Sequence, residues 1–108
     1  MKPIYKKPFV QFVKKAHKPL QLAIEDEVEV VCADPGVGEA KVGDLAGIRV
    51  HKFKFNRQEC LIAYRPPRPG EQAAGVDLEM LWIEFYKVGS HENFYEELKQ
   101  YLRAERKG

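Results

Sequence analysis

The segment from about Val76 to Val88 restricts the fold of this chain more than any other. Its apolar residues fall on both sides of a period-two repeat, with Leu81, Ile83 and Phe85 on one side and Met80, Trp82 and Tyr86 on the other. Both faces of such a strand need cover, and the cover has to come from the rest of the chain. At 108 residues there is enough chain for one compact domain spanning 1–108, and too little for two.

Helical stripes supply candidates for that cover. Phe9, Phe12, Val13 and Ala16 fall at i, i+3, i+4 and i+7, on a short helix that Pro8 can start. His17-Lys18-Pro19 interrupts it. A second stripe, Leu20, Ile24, Val28 and Val31, ends before Asp34-Pro35-Gly36. Two helices split by a proline predict a helical hairpin. A last helix buries Phe94, Leu98, Tyr101 and Leu102, then ends in Arg103, Arg106 and Lys107, where cations suit its C-terminal dipole.

Between them the periodicity changes. Residues 34–47 are glycine-rich and predict a loop, and from Gly47 the chain alternates. Ile48–Phe55 is a strand, Asn56-Arg57-Gln58 a short turn, and Cys60–Arg65 a second strand. Pro66–Gly75, with three prolines and two glycines, predicts a mobile loop before the long strand. Residues 2–5 are a candidate first strand. The expected class is α+β, an N-terminal helical hairpin packed on a mainly antiparallel sheet, with a C-terminal helix.

Composition removes several function classes. Apolar residues make up 44% and charged residues 31%, ordinary for a soluble globular protein. No apolar run is long enough for a membrane span, and the lysine-bearing N-terminus lacks the apolar stretch of a signal peptide. Cys32 and Cys60 lack metal-site spacing and are expected as reduced cytoplasmic thiols. Net charge is only +2, yet the charges are sorted. Residues 1–19 carry six lysines and no acid, 20–47 seven acids against Lys41, and 48–68 six cations against Glu59. A basic and an acidic face follow, and the basic one suits a polyanion.

Candidate chemistry lies in two places. On the strand Ile48–Phe55, alternation puts Lys52 and Lys54 on one face with Ile48 and Val50, and Arg49 and His51 on the other with Phe53 and Phe55. The Phe53 side is the expected core side, which leaves the lysines open. Two lysines side by side either hold an anion between them or simply keep a strand face soluble. The second place is the corner Lys87–Tyr95. Gly89 is expected to release the chain from its strand and Ser90 to cap the following helix, with His91 and Tyr95 one turn apart on one cleft. An imidazole exchanges protons near neutrality, although a histidine there also serves as an ordinary helix-start residue. Arg65, at the end of its strand, can grip a phosphate or pair with a nearby acid. His17, in the break between the helices, is expected to do no chemistry.

Taken together, the helical hairpin, Gly43-Asp44-Leu45-Ala46-Gly47-Ile48-Arg49, His51-Lys52-Phe53-Lys54, Leu61-Ile62-Ala63-Tyr64-Arg65 and Val88-Gly89-Ser90-His91-Glu92-Asn93-Phe94-Tyr95 resemble the RelE/ParE superfamily of bacterial type II toxins. The Gly-Ser-His ending is more similar to the RelE, YafQ and HigB endonuclease branches than to the gyrase-poisoning ParE branch. That resemblance implies a cytoplasmic mRNA endonuclease, associated with the ribosome, that needs no metal or other cofactor. It implies attack of the neighbouring 2′-OH on the phosphate, with Lys52, Lys54, Arg65, His91 and Tyr95 as catalytic residues and Arg49, His51, Arg57 and Arg68 as RNA contacts. His51 is also the reserve proton-transfer residue. It further implies a small antitoxin partner and a toxin–antitoxin hetero-oligomer on operator DNA. The chain departs from RelE proper in two places: Cys60-Leu61 and His91 stand where RelE has arginines. A histidine close to a helix start and several cations favours a base role over an acid role. A ParE-like gyrase inhibitor and a non-catalytic binding or repression module are the alternatives.

Overall fold

In the computed structural model, which describes residues 1–67 and 81–107, two prolines set where the first helices begin. After strand β1 (Lys2–Tyr5), Pro8 and Pro19 occupy the opening positions of α1 (Lys7–Lys15) and α2 (Lys18–Ala33), where a missing N–H costs no helical hydrogen bond. Ala16 and His17 between them are extended. The chain continues through β2 (Glu39–Ala40), a 3-10 turn (Gly43–Leu45), β3 (Arg49–Phe55), β4 (Gln58–Arg65), β5 (Trp82–Ser90) and α3 (Phe94–Lys107).

The five strands form one mixed sheet in the order β1-β5-β4-β3-β2. β1 runs parallel to β5 and the other neighbours are antiparallel. The α+β class is therefore as expected, while the segment expected as a plain loop contributes a two-residue edge strand and a 3-10 turn. The helical hairpin is less clear. The main contacts of α1 are with β5 and those of α2 with β1 and β3. A cleft of about 310 Å³, lined by Val10, Val13, Gln21 and Ile24 among others, opens between the two helices. Among the described residues no helix is long and apolar enough to cross a membrane.

Two apolar clusters cover the two faces. Phe9, Ile24, Val28 and Val31 pack against Ile62, Tyr64, Ile83, Phe85 and Val88 on one face. On the other, Phe94, Leu98 and Leu102 of α3 pack against Leu45, Ile48, Val50, Leu61, Ala63 and Tyr86. Leu61 to Tyr64 of β4 are all 0% exposed, as a strand between two layers must be. Burying a large side chain such as Leu61 or Ile62 contributes roughly 1.5–3 kcal/mol, so this strand anchors both layers.

Two local features differ from the sequence reading, and both decide which residues face one another. Asn56 and Arg57 have φ of 48° and 67°, and Phe55 already pairs with Gln58. The β3–β4 connection is thus a two-residue turn with both central residues left-handed, whose twist matches that of the strands. The expected three-residue turn would have shifted the register by one and turned every β4 side chain over relative to β3. In β5, Phe85 pairs with Tyr64 and Lys87 with Ala63, which leaves Tyr86 as an extra bulged residue. Before the bulge Ile83 and Phe85 face α1 and α2; after it Val88 does, and Lys87 faces α3.

The cover that the second apolar side of β5 requires comes from α3 and is partial. Trp82 is 50% exposed, but Tyr86 is 2% exposed beneath α3; Met80, with the beginning of the expected strand, lies outside the described residues. Gly89 does not release the strand. It pairs with Leu61, and Ser90 pairs with Cys60. The chain turns instead through His91-Glu92-Asn93, with Asn93 at φ 57°, and α3 starts at Phe94. His91 and Tyr95 are therefore not one turn apart on a common helix.

Candidate functional site

α3 covers the sheet from Phe94 onward and leaves the hairpin end of β3 and β4 open on that face. Alternation along β3 brings Lys52 and Lys54 out there, both exposed, in the row that begins with buried Val50. Residues two apart on a strand are about 7 Å apart, so one phosphate can lie within reach of both amines. Across the hairpin Lys54 pairs with Glu59 and Lys52 with Leu61.

His91, just past the end of β5, reaches the same place, because its Nε2 contacts Glu59 Oε1. The hydrogen bond from His91 holds the Glu59 carboxyl below the usual glutamate range, and the charges of His91, Lys52 and Lys54 add to the effect. Glu59 is thus an anion among cations. Lys52, Lys54 and His91, three of the expected residues, meet around an acid that the sequence reading did not single out. With the two-residue turn, Lys54 and Glu59 pair automatically; Asn-Arg lacks the glycine that usually marks such a turn, so the signal was weak.

Tyr95 borders this open face from another side. Lys41 Nζ lies 5.2 Å from the Tyr95 ring centroid and 3.0 Å from Glu39 Oε1. Its bond to Glu39, and then that to Tyr95, raise the Lys41 ammonium above the usual lysine range. Lys52 is close enough to Glu39 to help lower that carboxyl, after the larger effect of Lys41. Lys41 and Glu39 thus join Tyr95 to the lysine row, and neither was foreseen. Lys87 lies 3.2 Å from Glu97 and over the Phe94 ring, nearer the core.

The structure does not bring the remaining residues to this cluster. Arg65 is on the same side of the sheet but six residues along β4 from Glu59, about 20 Å at strand rise. Its guanidinium lies 5.6 Å from the Tyr86 ring centroid, opposite Glu84 in the sheet. The Tyr86 hydroxyl, pushed up to about 12 mainly by burial, donates to Glu105 at 3.2 Å, and Lys6 bridges Glu84 and Glu105 at 3.1 and 3.3 Å. That assembly ties α3 to the sheet.

Arg49 and His51 are on the opposite face. Arg49 Nη1 donates to the carbonyl oxygens of Gly38 at 2.6 Å and Gly36 at 3.3 Å, and clamps the loop after α2. His51 Nε2 lies 2.8 Å from Glu27 Oε1 on α2. Arg57 stands exposed at the hairpin tip, with Asn56 between the paired Phe55 and Gln58, at the same end of the sheet as Lys54 and Glu59. Arg68 lies outside the described residues. The Cys60 thiol is buried on the face away from the cluster, and burial pushes its pKa up, so it is no ready nucleophile.

A family model described as "ParE-like toxin of type II bacterial toxin-antitoxin system" matches residues 4–99. The chain belongs to that family. No curated protein matches the sequence. Among solved structures, the ParE-like chain is similar to a chain in the crystal structure of the intact E. coli RelBE toxin-antitoxin complex, with TM-score 0.58 and 13% identity. The match covers 84% of this chain and 96% of that one. At that identity the likeness concerns the fold, and the RelE/ParE resemblance of the sequence is thereby supported from two directions.

Proposed function

We propose that this ParE-like chain is an endoribonuclease that cleaves mRNA by attack of a 2′-OH on the adjacent phosphate. The observation that carries the reading is the convergence of Lys52, Lys54 and His91 on one open sheet face. The chemistry asks for two proton transfers and a place for negative charge. A bond forms from O2′ to phosphorus and the bond from phosphorus to O5′ breaks. The 2′ oxygen loses a proton to a base and the 5′ oxygen gains one from an acid. Lys52 and Lys54 suit the phosphorane charge, one of them also serving as a base candidate, and His91 suits proton transfer. Tyr95 offers a ring on which a base of the codon can stack. No group other than these side chains is required by this scheme.

The fold likeness to the RelBE complex supports a small antitoxin as partner, and the reading extends to ribosome-associated cleavage in the cytoplasm and to an operator-bound toxin–antitoxin complex. Expression without an antitoxin, with mapping of new mRNA 5′ ends, tests it. The wild-type chain is expected to arrest growth and create new ends, and His91→Ala and the Lys52→Ala/Lys54→Ala double variant to lose both. Arrest that persists in both variants without new ends refutes the nuclease reading.

One observation favours a second reading. The matching family is described as ParE-like, which suits a gyrase inhibitor that acts by binding. Trapped gyrase–DNA cleavage complexes with intact transcripts would support it. Absence of any arrest would instead favour a non-catalytic binding or repression module.

A further inference from the structure

Glu59 is an unexpected residue in a site for RNA. A carboxylate facing a polyanion weakens binding, so its presence beside Lys52 and Lys54 calls for a compensating role. Its partner indicates one. The Glu59 carboxyl stays ionised because His91 bonds to it and two lysines lie close, and an ionised carboxylate can only accept hydrogen bonds. The ring nitrogen it touches is Nε2. That nitrogen must therefore carry a hydrogen whether the imidazole is neutral or charged, and it cannot exchange a proton with substrate.

We propose that Glu59 is a positioning residue that holds His91 as its Nε2–H form and leaves Nδ1 as the nitrogen that exchanges a proton with the RNA. The assignment rests on the nuclease reading and goes beyond it by fixing which atom of His91 acts and what aims it. The placement follows from the fold. The two-residue turn sets Glu59 opposite Lys54, and the Tyr86 bulge sets the phase with which β5 leaves the sheet toward His91. Nδ1 serves either proton step: as Nδ1–H of the imidazolium it protonates O5′ as the phosphorus–O5′ bond breaks, and as a free lone pair it removes the 2′ proton as the O2′–phosphorus bond forms. Lys52 or Lys54, as a neutral amine or an ammonium, takes the complementary step, so every proton has a donor and an acceptor.

The test uses the full chain with Glu59→Ala and Glu59→Gln, a short RNA substrate both free and on programmed ribosomes, and 15N NMR of the His91 ring. In the wild type the neutral ring is expected as the Nε2–H tautomer. Glu59→Ala should give a mixture of tautomers and lower kcat at least tenfold, part of the ~10²–10⁴ that a positioned proton-transfer group contributes. KM should stay level or fall, because an anion has been removed from the RNA face. Glu59→Gln, whose amide oxygen can still accept from Nε2–H, should keep the tautomer and recover most of kcat. Retention of both wild-type kcat and the pure Nε2–H tautomer in Glu59→Ala overturns the proposal. So does a loss of activity carried by KM alone. A wild-type chain that cleaves RNA neither free nor on programmed ribosomes refutes the nuclease reading instead, and the tautomer measurement then still decides for or against the pair.

Discussion

Replacing Tyr64 by Phe isolates the bond that moors the loop carrying Glu39 and Lys41. Tyr64 is fully buried, its hydroxyl donates to Pro35 O at 2.7 Å and accepts from the Gly38 N–H at 2.9 Å. Phenylalanine keeps the ring, so the core loses no packing and the change is confined to the two hydrogen bonds. The Gly38 N–H is left buried without its partner, at a cost of about 1–3 kcal/mol. Against a total stability of roughly 5–15 kcal/mol this is a large fraction. With a urea m value of about 2 kcal/mol/M, a 2 kcal/mol loss lowers the unfolding midpoint by about 1 M.

Gly38 provides an independent arm. A Cβ there would sit 2.8 Å from Tyr64 Oη and 3.0 Å from the Val50 carbonyl carbon, so Gly38→Ala must push the loop away from β3 and β4. Urea unfolding followed by far-UV circular dichroism measures both variants, and hydrogen exchange at the Gly38 amide reports the loop directly. A midpoint shift below about 0.2 M for Tyr64→Phe, far under the cost of a stranded buried donor, together with undiminished protection of Gly38, would show that this bond does not hold the loop.

Two further outcomes are expected. Arg57 sits at φ 67° in the hairpin turn, a conformation costing a non-glycine residue roughly 1–2 kcal/mol, part of which is offset by the greater unfolded freedom of glycine. Arg57→Gly should therefore raise the thermal midpoint by a few degrees; a lower midpoint in calorimetry would contradict the left-handed turn. Glu59 titrates below the usual glutamate range through its His91 bond and the nearby lysines, so the folded state binds this proton less readily than the unfolded one. Its contribution to stability is present above the unfolded glutamate pKa and is lost as pH falls through the lower folded value. In 13C NMR the Glu59 carboxyl should show a depressed midpoint that rises in His91→Ala. An identical midpoint in that variant would place the pair apart in solution.

The helices were readable because their stripes are governed by local geometry. Phe9, Ile24, Val28, Val31, Phe94, Leu98 and Leu102 all point inward, as the 3.6-residue repeat requires. Alternation made Lys52 and Lys54 readable as one row, but the expectation that only the Phe53 side is core does not hold. Ile48 and Val50 on the lysine side are buried under α3 while Phe53 and Phe55 are half-buried, and the lysines are open because α3 leaves the hairpin end uncovered. Glu59 was missed because its role depends on the partner strand's register, which turns on whether the hairpin has two or three loop residues. Arg49 and Arg65 looked alike in sequence, basic residues at strand ends, yet one clamps a loop carbonyl on the far face and the other lies over Tyr86.

The amino-acid sequence by itself determined the periodic elements, the α+β class, the two apolar faces that must be covered and the toxin family. Those depend on spacing within single segments, where each side chain's direction follows from its neighbours in the chain. Tertiary structure alone decided that His91 meets Glu59 beside Lys52 and Lys54. That meeting requires a bulge at Tyr86, which reverses the alternation of β5, and a turn at Asn56-Arg57, which sets the alternation of β4. Either choice made otherwise by one residue would carry its strand's side chains to the opposite face, because a strand's repeat is two and sheet pairing counts in steps of one.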